Sequence, residues 1–179
     1  MIPVFLANGF EEIEALATVD ILRRAGVDVV TVGVGSNMPV GAHGIAVCAD
    51  ISEAELLLEA IDGVVLPGGM PGTTNLEASV VVRDAIVYAY ERDMLVAAIC
   101  AAPSILGHSG YLRDKKATCY PGFESELFGA TVTQAGVVVD GNIITASGAG
   151  TAVDFALELV RYLVSDAVAN TIRGGIQCP

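Results

Sequence analysis

The segment Leu95-Val96-Ala97-Ala98-Ile99-Cys100-Ala101-Ala102-Pro103 places a cysteine where an apolar run of strand length meets the start of a helix. A tight strand-to-helix turn lifts a nucleophile above a sheet, and it needs small neighbours, which Ala101 and Ala102 supply. A helix start beside the sulfur favours the thiolate and offers free amides to a developing oxyanion, so a lowered thiol pKa is expected. The alternative, a buried and inert cysteine, stays open at this level. A second feature is Leu66-Pro67-Gly68-Gly69-Met70-Pro71-Gly72. Three glycines and two prolines after an apolar run make a stiff loop, and its amides can form a nest with that of Ala101. Glu11-Glu12-Ile13-Glu14 is the third. Glu11 and Glu12 read as ordinary dipole partners in a first helical turn. Glu14 lies about 100° around the helix from Ile13, and Thr18, Ile21 and Ala25 continue its stripe. A carboxyl turned inward there is desolvated, has a raised pKa and can hold a proton for the thiolate.

Histidine is scarce. His108 stands eight positions beyond Cys100, about 12 Å along a helix, too far to be its base. His43, in a turn-rich stretch, reads as a surface residue. Cys48 and Cys119 read as small buried residues, and Cys178 sits in a frayed terminus. No Gly-Lys-Ser/Thr follows the glycine loop, and Gly33-Val34-Gly35 lacks a third glycine and a following helix, so no nucleotide cofactor is expected. No tight Cys/His cluster suggests a metal.

Positioning these groups falls to alternating strands and helices. Strands are expected at Ile2–Ala7, Val27–Val34, Ile45–Ala49, Val64–Pro67 and Leu95–Ile99. Val137–Asp140 and Ile143–Ala146 flank Gly141-Asn142 as a hairpin. Helices are expected over Glu11–Ala25, with Ile13, Leu16, Ala17 and Ile21 on one face, and from a Ser52 capping box to Ala60. Others are expected from Ser79 to Arg92, over Ala102–Ser109, Pro121–Phe128, Thr151–Val164 and Asp166–Arg173. Strands alternating with helices make an α/β, doubly wound sandwich: a mostly parallel sheet with helices on both faces. Ligands then bind at the carboxyl ends of the strands, after Ala7, Leu66 and Ile99.

The 179 residues suit one domain spanning 1–179. With 53% hydrophobic residues the chain is no disordered segment. Nine Lys and Arg against 21 Asp and Glu leave a net charge of -12, and residues 25–82 hold no Lys or Arg. That excludes a phosphate-backbone partner and a basic membrane contact. No segment has the length of a membrane span, and the N-terminus lacks the basic start of a secretory signal. Four dispersed cysteines suit reduced thiols in the cytoplasm.

Taken in order, N-G-F-E-E-I-E-A, D-I-L-R-R-A-G, L-P-G-G, A-A-I-C-A-A-P and S-G-A-G-T-A-V-D-F-A make the chain resemble the ThiJ/PfpI superfamily, specifically its DJ-one branch. The resemblance runs from the first strand to about Leu163. It implies a flavodoxin-like sandwich, a homodimer with Cys48 near its interface, a nucleophile at Cys100, its carboxylic-acid partner at Glu14, and oxyanion amides at Gly69 and Ala101. It also implies activity without metal or cofactor on small reactive dicarbonyls such as methylglyoxal (glyoxalase-like), or on their adducts (deglycase-like). The alternative is a redox-responsive stress or chaperone-type protein whose Cys100 is oxidised to sulfinate. Two departures stand out. Several members carry a histidine near the thiol where Tyr120 stands here, which leaves Tyr120 as an auxiliary hydrogen-bond donor. Ser147-Gly148-Ala149-Gly150-Thr151 lacks the relatives' Arg and Pro, so an arginine-backed anion site is not supported. Ala101 stands where the peptidase branch has histidine, which argues against proteolysis.

Overall fold

The computed structural model describes residues 1–179. In chain order the elements are β1 (Ile2–Ala7), α1 (Glu12–Arg24), β2 (Val29–Val34), β3 (Ile51–Ser52), β4 (Gly63–Leu66), α2 (Gly72–Ala78), α3 (Val80–Tyr90) and β5 (Leu95–Ile99). They continue with α4 (Pro103–His108), β6 (Lys116–Ala117), β7 (Thr131–Val132), β8 (Val137–Asp140), β9 (Ile143–Ala146), α5 (Ala152–Leu163) and α6 (Asp166–Gly175). Seven strands form one sheet in the order β3-β2-β1-β4-β5-β9-β8. Every pair in it is parallel except the β8–β9 hairpin.

The strands are apolar without interruption because both sheet faces are covered. Ile2, Val4 and Leu6 of β1 and Leu95, Ala97 and Ile99 of β5 point into a core shared with α1, α5 and α6. Phe5 and Ala7, with Val96 and Ala98, point into the opposite core beneath α2, α3 and α4. The expected α/β sandwich is therefore present, with the site-bearing turns after β1, β4 and β5 gathered at one end of the sheet. No helix is long and apolar enough to cross a membrane.

Several local expectations are corrected. Ile45–Ala49 forms no strand. Its backbone folds back on residues 37–41, Val47 N–H donating to the Pro39 carbonyl at 3.0 Å and Ala49 N–H to that of Asn37 at 2.9 Å. The short edge strand comes later, at Ile51–Ser52. The Ser52 capping box forms, but the helix stops after one 3-10 turn because Leu56 goes extended and buries its side chain. A second 3-10 turn covers Leu58–Ala60, and residues 121–128 hold only another at Glu124–Glu126. Helix α2 and the small parallel β6–β7 pair were not foreseen. The Pro71-Gly72 start of α2 carries the signature of a turn.

The inward face of α1 also differs. Ile13 is 58% exposed and Leu16 36%, whereas Glu12, Glu14, Ala15, Thr18, Val19, Ile21 and Leu22 are buried. The stripe through Glu14, Thr18 and Ile21 faces in, because α1 packs on α5 and its first turn closes over the site.

Candidate active site

Strand β5 ends at Ile99 and is followed by Cys100, whose φ of +66° is a left-handed conformation that L-residues rarely adopt. Its amide N–H still donates to the Ala146 carbonyl of β9 at 2.8 Å, so the sheet holds the strained residue in place. Its own carbonyl accepts from Tyr120 N–H at 2.8 Å. The elbow read from the sequence therefore exists.

The glycine loop after β4 brings a second wall. A Cβ on Gly68 would lie 2.6 Å from the Cys100 Cβ and 2.8 Å from Glu14 Oε2, so only glycine lets the loop approach this closely. The amides of Gly69 and Ala101 lie on the Cys100 sulfur's side of the elbow, close enough to pull its pKa down. Glu14 arrives from α1, and its Oε2 accepts the Gly68 N–H at 2.8 Å. The carboxyl lies beside the Cys100 thiol, close enough for each group to shift the other's ionisation. Its Oε1 is buried with no hydrogen-bond partner. An ionised carboxylate would leave that oxygen unpaired, so the site is best satisfied by a protonated carboxyl facing the sulfur.

Burial pushes Glu14 up to about 7, against the opposing pull of Cys100 and of the Gly68 hydrogen bond. Burial likewise pushes the Cys100 thiol up, to about 12, and the Glu14 carboxylate adds to the rise, while the Gly69 and Ala101 amides oppose it. The lowered thiol pKa expected from a helix start is not found. Helix α4 begins only at Pro103 and has six residues, so its dipole is too small to offset desolvation and a neighbouring carboxylate.

These groups open into a cavity of about 540 Å³. Glu11, Glu12, Ile13, Glu14, His43, Ile45, Tyr120 and Ala149 line it with Cys100. Tyr120 is half-exposed, and a Cβ on Gly148 would lie 3.3 Å from its ring and 4.0 Å from Cys100 Sγ. A cleft of about 620 Å³ over the ends of β1 and β2 is lined by no cysteine or histidine. Its Glu53 is occupied by the Gly35 N–H and the Ser79 hydroxyl.

Two residues take parts that the sequence did not reveal. Glu11 caps α1 by accepting Glu14 N–H at 2.7 Å, as a first-turn carboxylate does. Glu12, though, is 5% exposed and serves the loop after β2: it accepts from His43 N–H at 2.8 Å and pairs with His43 Nδ1 at 2.9 Å. His43, expected merely on the surface, thus reaches the mouth of the Cys100 cavity. No periodic pattern could join residues so distant in the chain. His108 stays away from Cys100, held between Glu77 at 2.6 Å and Glu126 at 3.0 Å. Cys119 is buried as expected, against the opposite face of the sheet from Cys100, whereas Cys48 is exposed rather than buried.

Comparison with known proteins places the fold within a family. The chain is 35% identical over 176 residues to Protein dj-1beta of Drosophila melanogaster, covering 97% of this chain and 94% of that one. It is 37% identical over 177 residues to Protein DJ-1 homolog B of Arabidopsis thaliana, where it spans 97% of its own length but only 40% of that protein's. It is 29% identical over 164 residues to the Glutathione-independent glyoxalase DJR-1.2 of Caenorhabditis elegans, covering 90% of this chain and 87% of that one. The structure named Toxoplasma gondii DJ-1, oxidized, superposes with a TM-score of 0.94 at 32% identity, over 98% of this chain and 97% of that one. The pattern described as the DJ-1/PfpI family matches residues 1–162. With its five ordered segments, its sheet order and its cysteine elbow accounted for, the chain belongs to the DJ-1/PfpI family.

Proposed function

We propose that the protein is a cofactor-independent enzyme that uses Cys100 to convert small reactive dicarbonyls such as methylglyoxal to 2-hydroxy acids, or to act on their adducts. The observation that carries this reading is a buried carboxyl set beside a cysteine on a strained elbow, with Gly68 packed so closely that an added Cβ would touch both. The sulfur adds to the aldehyde carbon, and its proton passes to the carbonyl oxygen to give a hemithioacetal. Amides of Gly69 and Ala101 hold the developing oxyanion. Glu14 takes the proton from the aldehyde carbon and returns it to the neighbouring carbon, leaving a thioester that water hydrolyses to lactate and free thiol. Tyr120 acts as an auxiliary donor at the wall. The name of the Caenorhabditis elegans relative supports the reaction class. The absence of Lys and Arg from the cavity lining favours a neutral carbonyl over an anionic one.

The reaction is tested by following methylglyoxal loss and lactate formation with purified protein. Cys100→Ser and Glu14→Gln should each abolish turnover, and unchanged rates in both variants would refute the mechanism. The working unit proposed is one domain, residues 1–179, acting as a homodimer in the cytoplasm with no nucleic-acid or membrane partner. The exposed apolar Ile13 and Leu16 on α1 support a second copy packing against this helix.

A second reading is a redox-responsive protein with little turnover. The two amides and the Glu14 carboxyl beside the sulfur suit a sulfinate as well as an oxyanion, and a structural relative is described as oxidized. Mass spectrometry after mild peroxide should then show Cys100 oxidised ahead of Cys48, Cys119 and Cys178. Uniform oxidation counts against it.

A further inference from the structure

The geometry points to His43, held by Glu12, as the general base that activates water in the last step of the reaction. This inference rests on the dicarbonyl reading above. The two residues form a carboxylate–imidazole pair: Glu12 Oε2 lies 2.9 Å from His43 Nδ1, while Oε1 accepts the His43 backbone N–H at 2.8 Å and the Ile45 N–H at 3.4 Å. Such a double hold on backbone and ring fixes both the loop and the tautomer, with the proton on Nδ1 and the lone pair on Nε2. Nε2 has no partner, and the side chain is 70% exposed at the cavity that Cys100 lines.

The placement matters because Glu14 cannot serve twice with equal ease. Glu14 is 1% exposed, beneath the sulfur, where it can reach the substrate carbons but not solvent. A hydrolytic water enters from the mouth, where His43 stands. His43 Nε2 takes a proton from that water as its oxygen bonds to the thioester carbonyl carbon. The tetrahedral adduct then collapses, the carbon–sulfur bond breaks, and the leaving sulfur takes the proton from His43. Thioester and water become 2-hydroxy acid and thiol, and no oxidant or metal takes part. The Glu12 carboxylate raises the His43 pKa, so the base is available only above that value. Glu11, Glu14, Cys100 and Tyr120 are the other titratable groups facing the same cavity.

The test is rapid-quench and steady-state kinetics with methylglyoxal on the wild type and His43→Asn. Asparagine sets its amide nitrogen near the place of Nδ1, so it keeps the bond to Glu12 and removes Nε2 alone. The variant should acylate Cys100 in its first turnover, accumulate a lactoyl adduct visible by intact-mass spectrometry, and lose about 10²-fold in steady-state lactate release. Added imidazole should restore release, which a merely structural loss would not allow. Turnover of His43→Asn at the wild-type rate, or a loss with neither adduct nor imidazole rescue, overturns the assignment while leaving the Cys100 reaction standing. Absence of lactate formation by the wild type overturns the dicarbonyl reading, and this inference falls with it.

Discussion

The Glu14 carboxyl and the Cys100 thiol stand side by side, the first buried in α1 and the second strained just after β5, and burial drives both toward the protonated form. Two such acids titrate as a pair. The first proton is lost near 7 and the charge settles on Glu14, while the thiol keeps its proton, pushed up to about 12.

Cys100 alkylation should therefore stay slow as pH rises through about 7, because the charge gained there sits on Glu14 and holds the thiol up, toward about 12. Iodoacetamide labelling read by mass spectrometry gives the profile. Glu14→Gln removes that charge, so above about 7 the variant should be alkylated faster than the wild type. An equal or slower rate in the variant would show that the carboxylate does not hold the thiol up.

Folding stability should carry the signature of the Glu14 proton. Glu14 has its pKa raised from 4.5 to about 7 in the folded protein, so the folded state holds a proton that the unfolded state releases. Stability is then greatest below 4.5, falls as pH rises to about 7, and levels off beyond, by roughly 3 kcal/mol at most. Replacing Glu14 by Gln removes the slope. Denaturant unfolding of both proteins at pH 5 and 8 should show the variant gaining on the wild type at the higher pH.

Gly68→Ala should damage the site more than the fold. The new methyl would lie 2.6 Å from the Cys100 Cβ and 2.8 Å from Glu14 Oε2, so the loop must move away from both. A shift approaching 1 Å costs about 10²-fold in rate, against about 1–3 kcal/mol of stability. Measured kcat falling by this factor in a protein that still unfolds cooperatively is the expected result.

His108 should act as a pH-dependent clamp between α4, α2 and the 3-10 turn at Glu124–Glu126. Only the protonated ring can donate to both Glu77 and Glu126, and those carboxylates raise its pKa. Its contribution is complete below the unfolded value of about 6.5 and is lost as pH rises through the folded one. His108→Gln should cost about 1 kcal/mol at pH 6 and progressively less at higher pH, read from Tm or denaturant midpoints.

Leu16→Arg should dissociate the proposed homodimer. Leu16 sits on the outer face of α1, and a charge there would be buried without a partner in an apolar contact between copies. Sedimentation of the variant as a monomer is expected; an unchanged dimer would place the interface elsewhere.

What the amino-acid order determined alone is what depends on neighbours in sequence. Uninterrupted apolar runs such as Ile2–Ala7 and Leu95–Ile99 require a sheet covered on both faces, and small residues around Cys100 permit a tight turn at its edge. The inward stripe through Glu14, Thr18 and Ile21 was legible too, although the apolar Ile13–Leu16 stripe competed with it and lost. Only the tertiary structure decided which face of α1 is buried, since that depends on α5 and the glycine loop. It also decided that Glu12 holds His43, because loop closure over long separations leaves no local pattern. The direction of the Cys100 shift was decided the same way. A helix start argues for a low value, but burial and a carboxylate from a distant helix act over a few ångströms in low dielectric, and at that range they prevail.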